Sequence, residues 1–419
     1  MSRGIDTVEV HADLDWLATP RRMGWLHHRS GGKTAVFSFE YDSAWLANPD
    51  AFAFDPDLAL VSGTQYPPVD RANFGIFLDS APDRWGRVLM QRRENGQALA
   101  DKRRPHVLGE WDFLLGVHDE TRMGALRFRI GDGPFLDANS MQAAPPLTSL
   151  RELETASLRF EARDDAHDKP ADLRWLSQLI APGSSLGGAR PKASVRDEDG
   201  RLCIAKFPSR QDTRDVGAWE LVAHRLAAKA GIQVPATRAL HLGTVGTTFL
   251  AERFDRTLQG RRRAFVSAMT LTQRKDGEPG ASYLELVDLL QSRGADTRVD
   301  CEELFRRVLF GISIHNVDDH LRNHGFILTP TGLRLSPAYD INPVPDRDEL
   351  TLAINETDTH CDVDIAMRAA RDYGLTAKRA DAILVQVREA VSGWRRVATS
   401  LKIPKSEQAL MASAFTPVA

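Results

Sequence analysis

The apolar pattern of this chain changes character at Phe254, and that change limits the fold more than any other feature. Before it, short apolar and β-branched runs are cut by turn formers: Val8–His11, Met23–His27, Thr34–Tyr41, Ala125–Ile130, Lys192–Arg196, Leu202–Phe207, Ala239–Leu242 and Thr247–Phe254. Such runs read as strands, and Gly31-Gly32 reads as a hairpin turn. One helix interrupts them: Trp219, Val222, Leu226 and Ala230 repeat at helical spacing, Gly231 supplies a stop and Pro235 lies just beyond. After Phe254 the period is helical. Leu304, Phe305, Val308, Leu309 and Ile312 form one apolar stripe, and Ile383, Val387, Val391 and Trp394 form another over Ala377–Thr399. A hairpin, Gly325–Thr329 and Leu333–Pro337 around a Pro-Thr-Gly turn, sits between them. Strands first and helices afterwards predict an α+β protein.

At 419 residues the chain is long enough for two or three domains of about 150 residues. Gly131–Leu147, with two glycines and three prolines, places a boundary near residue 150. The expected domains are 1–150, 151–255 and 256–419. Apolar residues at 42% and charged residues at 26% fit a globular chain. Fifty-four basic residues against 57 acidic ones leave a net charge of −3, which argues against binding nucleic acid by charge alone. Cys203, Cys301 and Cys361 are odd in number and far apart, which suits a reducing cytosol rather than a disulfide framework. The first residues lack the apolar core of a signal peptide, and runs such as Val308–Ile314 are too short to span a membrane. A soluble, cytoplasmic chain with no membrane contact is expected. No period of 20–50 residues repeats.

The chemistry concentrates in IHNVDDHLRNHGFILTPTGLRLSPAYDI, residues 314–341. Asp318 and Asn323 stand five apart, and Asp340 follows beyond the hairpin. Phosphoryl transfer in protein kinases uses this pattern: an Asp orients the attacking hydroxyl, and an Asn and a second Asp hold Mg²⁺ against the phosphates. Mg²⁺ needs only one or two protein carboxylates, because water and phosphate complete its octahedron. Upstream, Lys206 ends an apolar strand where it can meet ATP phosphates, and Glu220 on the following helix is placed to pair with it. Ahead of both lies SSLGGARPK (184–192), where Gly187 and Gly188 let backbone N–H groups approach phosphate. This loop matches neither G-x-G-x-x-G nor a Walker motif, and the D-x-x-x-x-N spacing alone is unspecific. The order of all five features is that of a kinase.

The blocks SSLGGARPKAS, IAKFPS, ERFDR, NVDDHLRN and LSPAYDI resemble the HipA family, the serine/threonine-kinase toxins of HipBA-type toxin–antitoxin modules. FGIFLDSAPDRWGR (74–87) resembles that family's N-terminal subdomain signature, and weak similarity runs from about residue 20 to about residue 395. The resemblance implies a bilobed protein-kinase-like core, with a β-rich N-lobe and a helical C-lobe, and an N-terminal β-containing subdomain. By it, Asp318 is the catalytic base, Asn323 and Asp340 are the Mg²⁺ ligands, and Lys206 contacts ATP phosphate. Gly187, Gly188, Ala189 and Lys192 belong to the ATP loop, and Glu252 and Phe254 to the hinge beside adenine. Ser185, or Ser184 next to it, occupies the position of an autophosphorylated serine. The implied cofactors are ATP and Mg²⁺. The implied partners are a helix-turn-helix antitoxin (HipB-like), operator DNA through the antitoxin complex only, and a protein substrate, an aminoacyl-tRNA synthetase, chiefly that for glutamate. Arg190-Pro191 and the extra acid Asp319 depart from better-known members and leave the particular substrate open.

Other readings compete. His315, Asp318, Asp319, His320 and His324 suit a metal hydrolase, although that leaves Lys206, the loop and Asp340 without a role. His320 is expected to brace the catalytic loop, with Asp319 supporting it. A pseudokinase acting as co-repressor, or a small-molecule kinase, uses much of the same pattern. The basic runs Lys102–Arg104 and Arg261–Arg263 read as solvated loops, and Trp85, Trp111 and Trp175 as core or seam residues.

Overall fold

The computed structural model describes residues 5–30, 35–49, 51–136, 144–162, 179, 188 and 190–415. Gly31-Gly32, Ser184, Ser185, Gly187, Ala189 and Trp175 lie outside the described residues. The fold is α+β, as the apolar pattern predicts. Two compact units divide it: residues 1–205 with 255–266, and residues 206–254 with 267–419.

The first unit begins with β1 (Ile5–Ala12), β2 (Arg21–Arg29), β3 (Val36–Tyr41), a short helix α1 (Ser43–Leu46) and β4 (Thr64–Gln65). Helices α2 (Gly75–Asp79), α3 (Arg84–Ala100) and α4 (Glu110–Leu115) follow, then β5 (Leu126–Arg129) and α5 (Leu150–Glu161). β6 (Lys192–Arg196) and β7 (Leu202–Lys206) complete it as neighbours in a second sheet. The first sheet is antiparallel, in the order β4-β3-β2-β1-β5. Its alternation is clean on β3, where Phe37, Phe39 and Tyr41 are buried and Ser38 and Glu40 are more open. Phe39 and Phe128 both meet Phe77 of α2, at ring distances of 5.7 and 6.1 Å.

Helix α3 was not visible in the apolar pattern, which gave this region strands and turns. Its sequence RWGRVLMQRRENGQALA buries only Trp85, Leu89, Met90 and Ala98 among its apolar side chains, and Gly86 and Gly96 weaken its propensity. Its start is set by Asp83, whose Oδ1 accepts the Gly86 N–H at 2.8 Å. Trp85 packs edge-on against Phe160 of α5, as a core residue should. The run Arg261–Arg263 departs from the expected solvated loop. Arg262 is buried and donates to the Asp119 carbonyl, Arg261 donates to the carbonyls of Leu14 and Leu17, and Asp119 also pairs with Arg127 at 2.6 Å. These arginines tie separate loops together through their fixed donor forks.

The second unit holds α6 (Val216–Lys229), β8 (Thr237–Leu240) and β9 (Thr248–Glu252), the last two an antiparallel pair. After β10 (Phe265–Ser267) come α7 (Ala268–Leu271), α8 (Tyr283–Arg293) and α9 (Thr297–Ser313), then the hairpin β11 (Gly325–Thr329) and β12 (Gly332–Leu335). α10 (Val363–Ala369), α11 (Ala377–Ser392), α12 (Trp394–Ser400) and α13 (Lys405–Leu410) close the chain. The single helix expected over 377–399 is two, broken at Gly393, while Ile383, Val387, Val391 and Trp394 are buried as predicted. Among the described residues no helix is long and apolar enough to cross a membrane.

Two contacts fix α6. A Cβ at Gly217 would stand 2.1 Å from the Thr247 carbonyl, so only glycine lets the helix lie this close to the start of β9. Trp219, one per cent exposed, packs against Trp394 and Phe415 at 6.0 and 5.7 Å and donates its indole N–H to Glu407 Oε1 at 2.7 Å. The same Glu407 oxygen accepts the Asp215 N–H, so the C-terminal segment holds both the start and the inner face of α6. Replacing Trp219 by Ala empties that site and should cost about 3–5 kcal/mol, read as a lower denaturant midpoint in equilibrium unfolding. A loss under about 1 kcal/mol would show that α6 is held elsewhere.

Candidate active site

Lys206, at the end of β7, has its Nζ 2.5 Å from Glu220 Oε1 and 2.5 Å from Asp340 Oδ1. Glu220 arrives from the middle of α6 and is one per cent exposed on its side chain; Asp340 arrives from the segment after β12. Burial pulls the ammonium down, but the two carboxylates outweigh it and raise Lys206 above the ordinary lysine range. The three residues that the sequence separates by up to 134 positions are therefore one ionic cluster.

The hairpin and α9 place Asp340. Arg334 forks onto both Asp300 oxygens at 2.7 and 3.1 Å, and Arg307 reaches Glu303 and the Ser336 carbonyl. Gly332 turns the hairpin at φ +136°, where a Cβ would also meet the Arg293 carbonyl at 2.6 Å. Asp340 itself has φ +56°, a left-handed position unusual for a non-glycine residue. Phe254 lies 5.4 Å, ring to ring, from Tyr339, and Glu252 ends β9 with its N–H on the Ala236 carbonyl.

The two adjacent acids Asp318 and Asp319 have opposite surroundings. Asp318 is exposed, and its carboxylate has no partner among the described residues. Asp319 is buried, accepting the Tyr283 hydroxyl at 2.6 Å and facing His324 Nε2 at 3.0 Å. Burial pushes Asp319 up, but His324 and Tyr283 hold it below the usual carboxylate range. Asn323 is buried; its amide Nδ2 donates to the Asp318 carbonyl at 3.1 Å, leaving its Oδ1 as the donor atom for a cation. His320 braces through its backbone, its carbonyl accepting the Asn323 N–H at 2.8 Å, while its ring Nδ1 is buried without a partner. The bracing side chains are Asp319, Tyr283 and His324, and Tyr283 was invisible to sequence reasoning because it lies on another helix. Among the described residues no three His, Cys, Asp or Glu side chains are gathered in a group that could hold a metal ion.

The pattern of the HipA-like C-terminal domain matches residues 184–394, half of the chain. This chain belongs to the HipA family. No curated protein matches it in sequence. Among solved structures it shares the fold of HipA from Shewanella oneidensis MR-1, described in complex with HipB and its operator DNA, at a TM-score of 0.65 and 18% identity over 98% of this chain and 95% of that one. The Helicobacter pylori proinflammatory kinase CtkA matches 54% of this chain and 94% of its own at 12% identity and a TM-score of 0.37, from which no argument follows.

Within this HipA-family chain, Lys192 belongs to a buried ion pair. Its side chain is one per cent exposed, and its ammonium is held by Asp83 Oδ2 at 2.7 Å and the Gly188 carbonyl at 2.8 Å. The Trp85 indole N–H also holds the Lys192 carbonyl at 3.1 Å. This buried pair anchors the end of the Gly-rich segment to the start of α3.

One buried group near the Lys206 cluster titrates unfavourably. His224, one turn beyond Glu220 on α6, is one per cent exposed, stands 5.1 Å from the Phe249 ring and has no partner on either ring nitrogen. Burial, and after it the Lys206 ammonium, pull it down to about 3. The unfolded chain binds a proton near pH 6.5 that the folded chain refuses, so folding stability is complete above that pH and falls between about 6.5 and 3. The slope approaches about 1.4 kcal/mol per pH unit for one proton. His224→Leu should flatten the unfolding free energy measured between pH 6.5 and 5 relative to the wild type; an unchanged profile would remove His224 from that balance.

Proposed function

We propose that this HipA-family chain is an ATP- and Mg²⁺-dependent serine/threonine protein kinase that acts as the toxin of a type II toxin–antitoxin pair. The observation that carries the reading is the Lys206 bridge between Glu220 and Asp340. A kinase needs its phosphate-binding lysine, the helix glutamate and the metal-binding aspartate assembled at one point. Lys206, Glu220 and Asp340 meeting in one ionic cluster, with an exposed carboxylate on Asp318 in the same unit, supports that reading.

In the proposed mechanism Lys206, held by Glu220, faces the phosphates of ATP as a fixed positive charge, and Asp318 orients and accepts the proton of the substrate hydroxyl. Phosphoryl transfer requires little else from a protein than position and charge. The donors present fit Mg²⁺: the Asp340 carboxylate and the free amide oxygen of Asn323 are hard oxygen ligands, too few to cage a cation without water and phosphate. The ion would supply neutralisation of the phosphate charge. Glu252 and Phe254 read as the adenine-side hinge and Gly187–Ala189 as the phosphate loop, both by family resemblance. By the same resemblance the protein substrate is an aminoacyl-tRNA synthetase, that for glutamate first, and Ser185 or Ser184 is the autophosphorylation site. The Shewanella structure, with HipB and operator DNA, supports an antitoxin partner; by family resemblance that antitoxin is a helix-turn-helix protein through which DNA is contacted.

The test is intact mass with peptide mapping after incubation with Mg·ATP, beside Asp318→Asn. A phosphate on Ser184 or Ser185 in the wild type, slowed by about 10²–10⁴-fold in the variant, is the expected result. Full transfer by Asp318→Asn would sink the role given to Asp318, and absence of both nucleotide binding and transfer would favour a co-repressor.

A further inference from the structure

We propose that Asn316 is a positioning residue, which locks the segment carrying Asp340 to the loop carrying Asp318. The inference rests on the kinase reading for what is positioned, and on geometry for the lock itself. Asn316 lies two residues before Asp318 and is six per cent exposed. Its Oδ1 accepts the backbone N–H of Asn342, two residues after Asp340, at 2.9 Å. Asn342 in turn donates its side-chain Nδ2 to Asp340 Oδ1 at 3.2 Å, the oxygen that Lys206 also holds. One side chain therefore leads in two hydrogen bonds from the catalytic loop to the metal-binding carboxylate.

The lock is placed where the backbone needs it. His315 and Asp340 have φ of +47° and +56°, conformations that persist only where the surroundings over-determine them. Neighbouring bonds run the same way: the His315 carbonyl accepts the Val344 N–H at 3.1 Å, and the Val317 carbonyl accepts Thr351 through its N–H at 3.1 Å and its hydroxyl at 2.9 Å. Those bonds use backbone carbonyls that any residue supplies. Asn316 instead contributes a side-chain acceptor, so its identity can be tested. Neither Asn316 nor Asn342 belongs to the D-x-x-x-x-N…D pattern, and neither touches substrate in the proposed mechanism.

Support for cation ligands of this kind is commonly worth 10–100-fold in metal affinity or activity. Asn316→Ala should raise the Mg²⁺ concentration for half-maximal autophosphorylation by about tenfold or more, while the KM for ATP at saturating Mg²⁺ changes by less than about threefold. Asn316→Asp keeps the acceptor oxygen and should restore most of the Mg²⁺ dependence. Equal losses in ATP and Mg²⁺ terms, or no rescue by Asp, would overturn the positioning role. Amide exchange of the protein without nucleotide judges the lock independently of activity. The Asn342 N–H should exchange at least about tenfold faster in Asn316→Ala with a similar melting temperature, and unchanged exchange would overturn it. A wild type that transfers no phosphate sinks the kinase reading instead, and the exchange result then decides the lock alone.

Discussion

A lysine ammonium held between two carboxylates in a largely dry site is the constraint on which the second unit is organised. Each of these charges is expensive to remove from water, and removing one partner of such a cluster typically costs about 3–5 kcal/mol, because the others are left unpaired. The elements that supply them are accordingly fixed by other means. Gly217 brings α6 against the Thr247 carbonyl, and Glu407 and Trp219 hold its start and inner face. Arg334 and Arg307 bind the hairpin to α9, which sets the approach of Asp340. The cluster is thus over-determined on both sides.

The loop carrying Asp318 and Asp319 gives one dipeptide two environments. Asp318 is left in solvent with its carboxylate unengaged, and Asp319 is turned inward, where Tyr283 and His324 satisfy it. The inward acid holds the loop so that the outward one is presented. His224 is the converse case, a buried imidazole with no partner beside the ionic cluster. Its neighbours leave no room for its charged form, so it behaves as an apolar ring there.

In the first unit, arginines take the structural place that sequence habit gives to solvated loops. Arg262 is buried near Asp119, and Arg122 donates to the carbonyls of Ser80, Leu114 and Val117 while its guanidinium covers the Phe128 ring at 4.6 Å. A guanidinium can satisfy several carbonyls at once while stacking on an aromatic face, which a lysine cannot do. Lys192 is buried only because Asp83 and the Gly188 carbonyl meet it.

The sequence by itself determined the strands of β1–β3 and β6–β9, the helices α6 and α9, the hairpin before Asp340 and the family. Each of these rests on local periodicity or on contiguous blocks of residues. It also named Lys206, Glu220, Asn323 and Asp340, because their order along the chain is a pattern in one dimension. It missed α3, whose apolar stripe is thin and broken by glycines, and the break at Gly393, which one residue decides. It gave Arg261–Arg263 to solvent, because a charge in a sequence carries no record of what stands opposite. Tertiary structure decided those partners, along with Tyr283 behind Asp319 and Asn342 beside Asn316. They come from segments far apart in the chain or meet only after turns are made, and hydrogen bonds of that kind leave no periodicity to read.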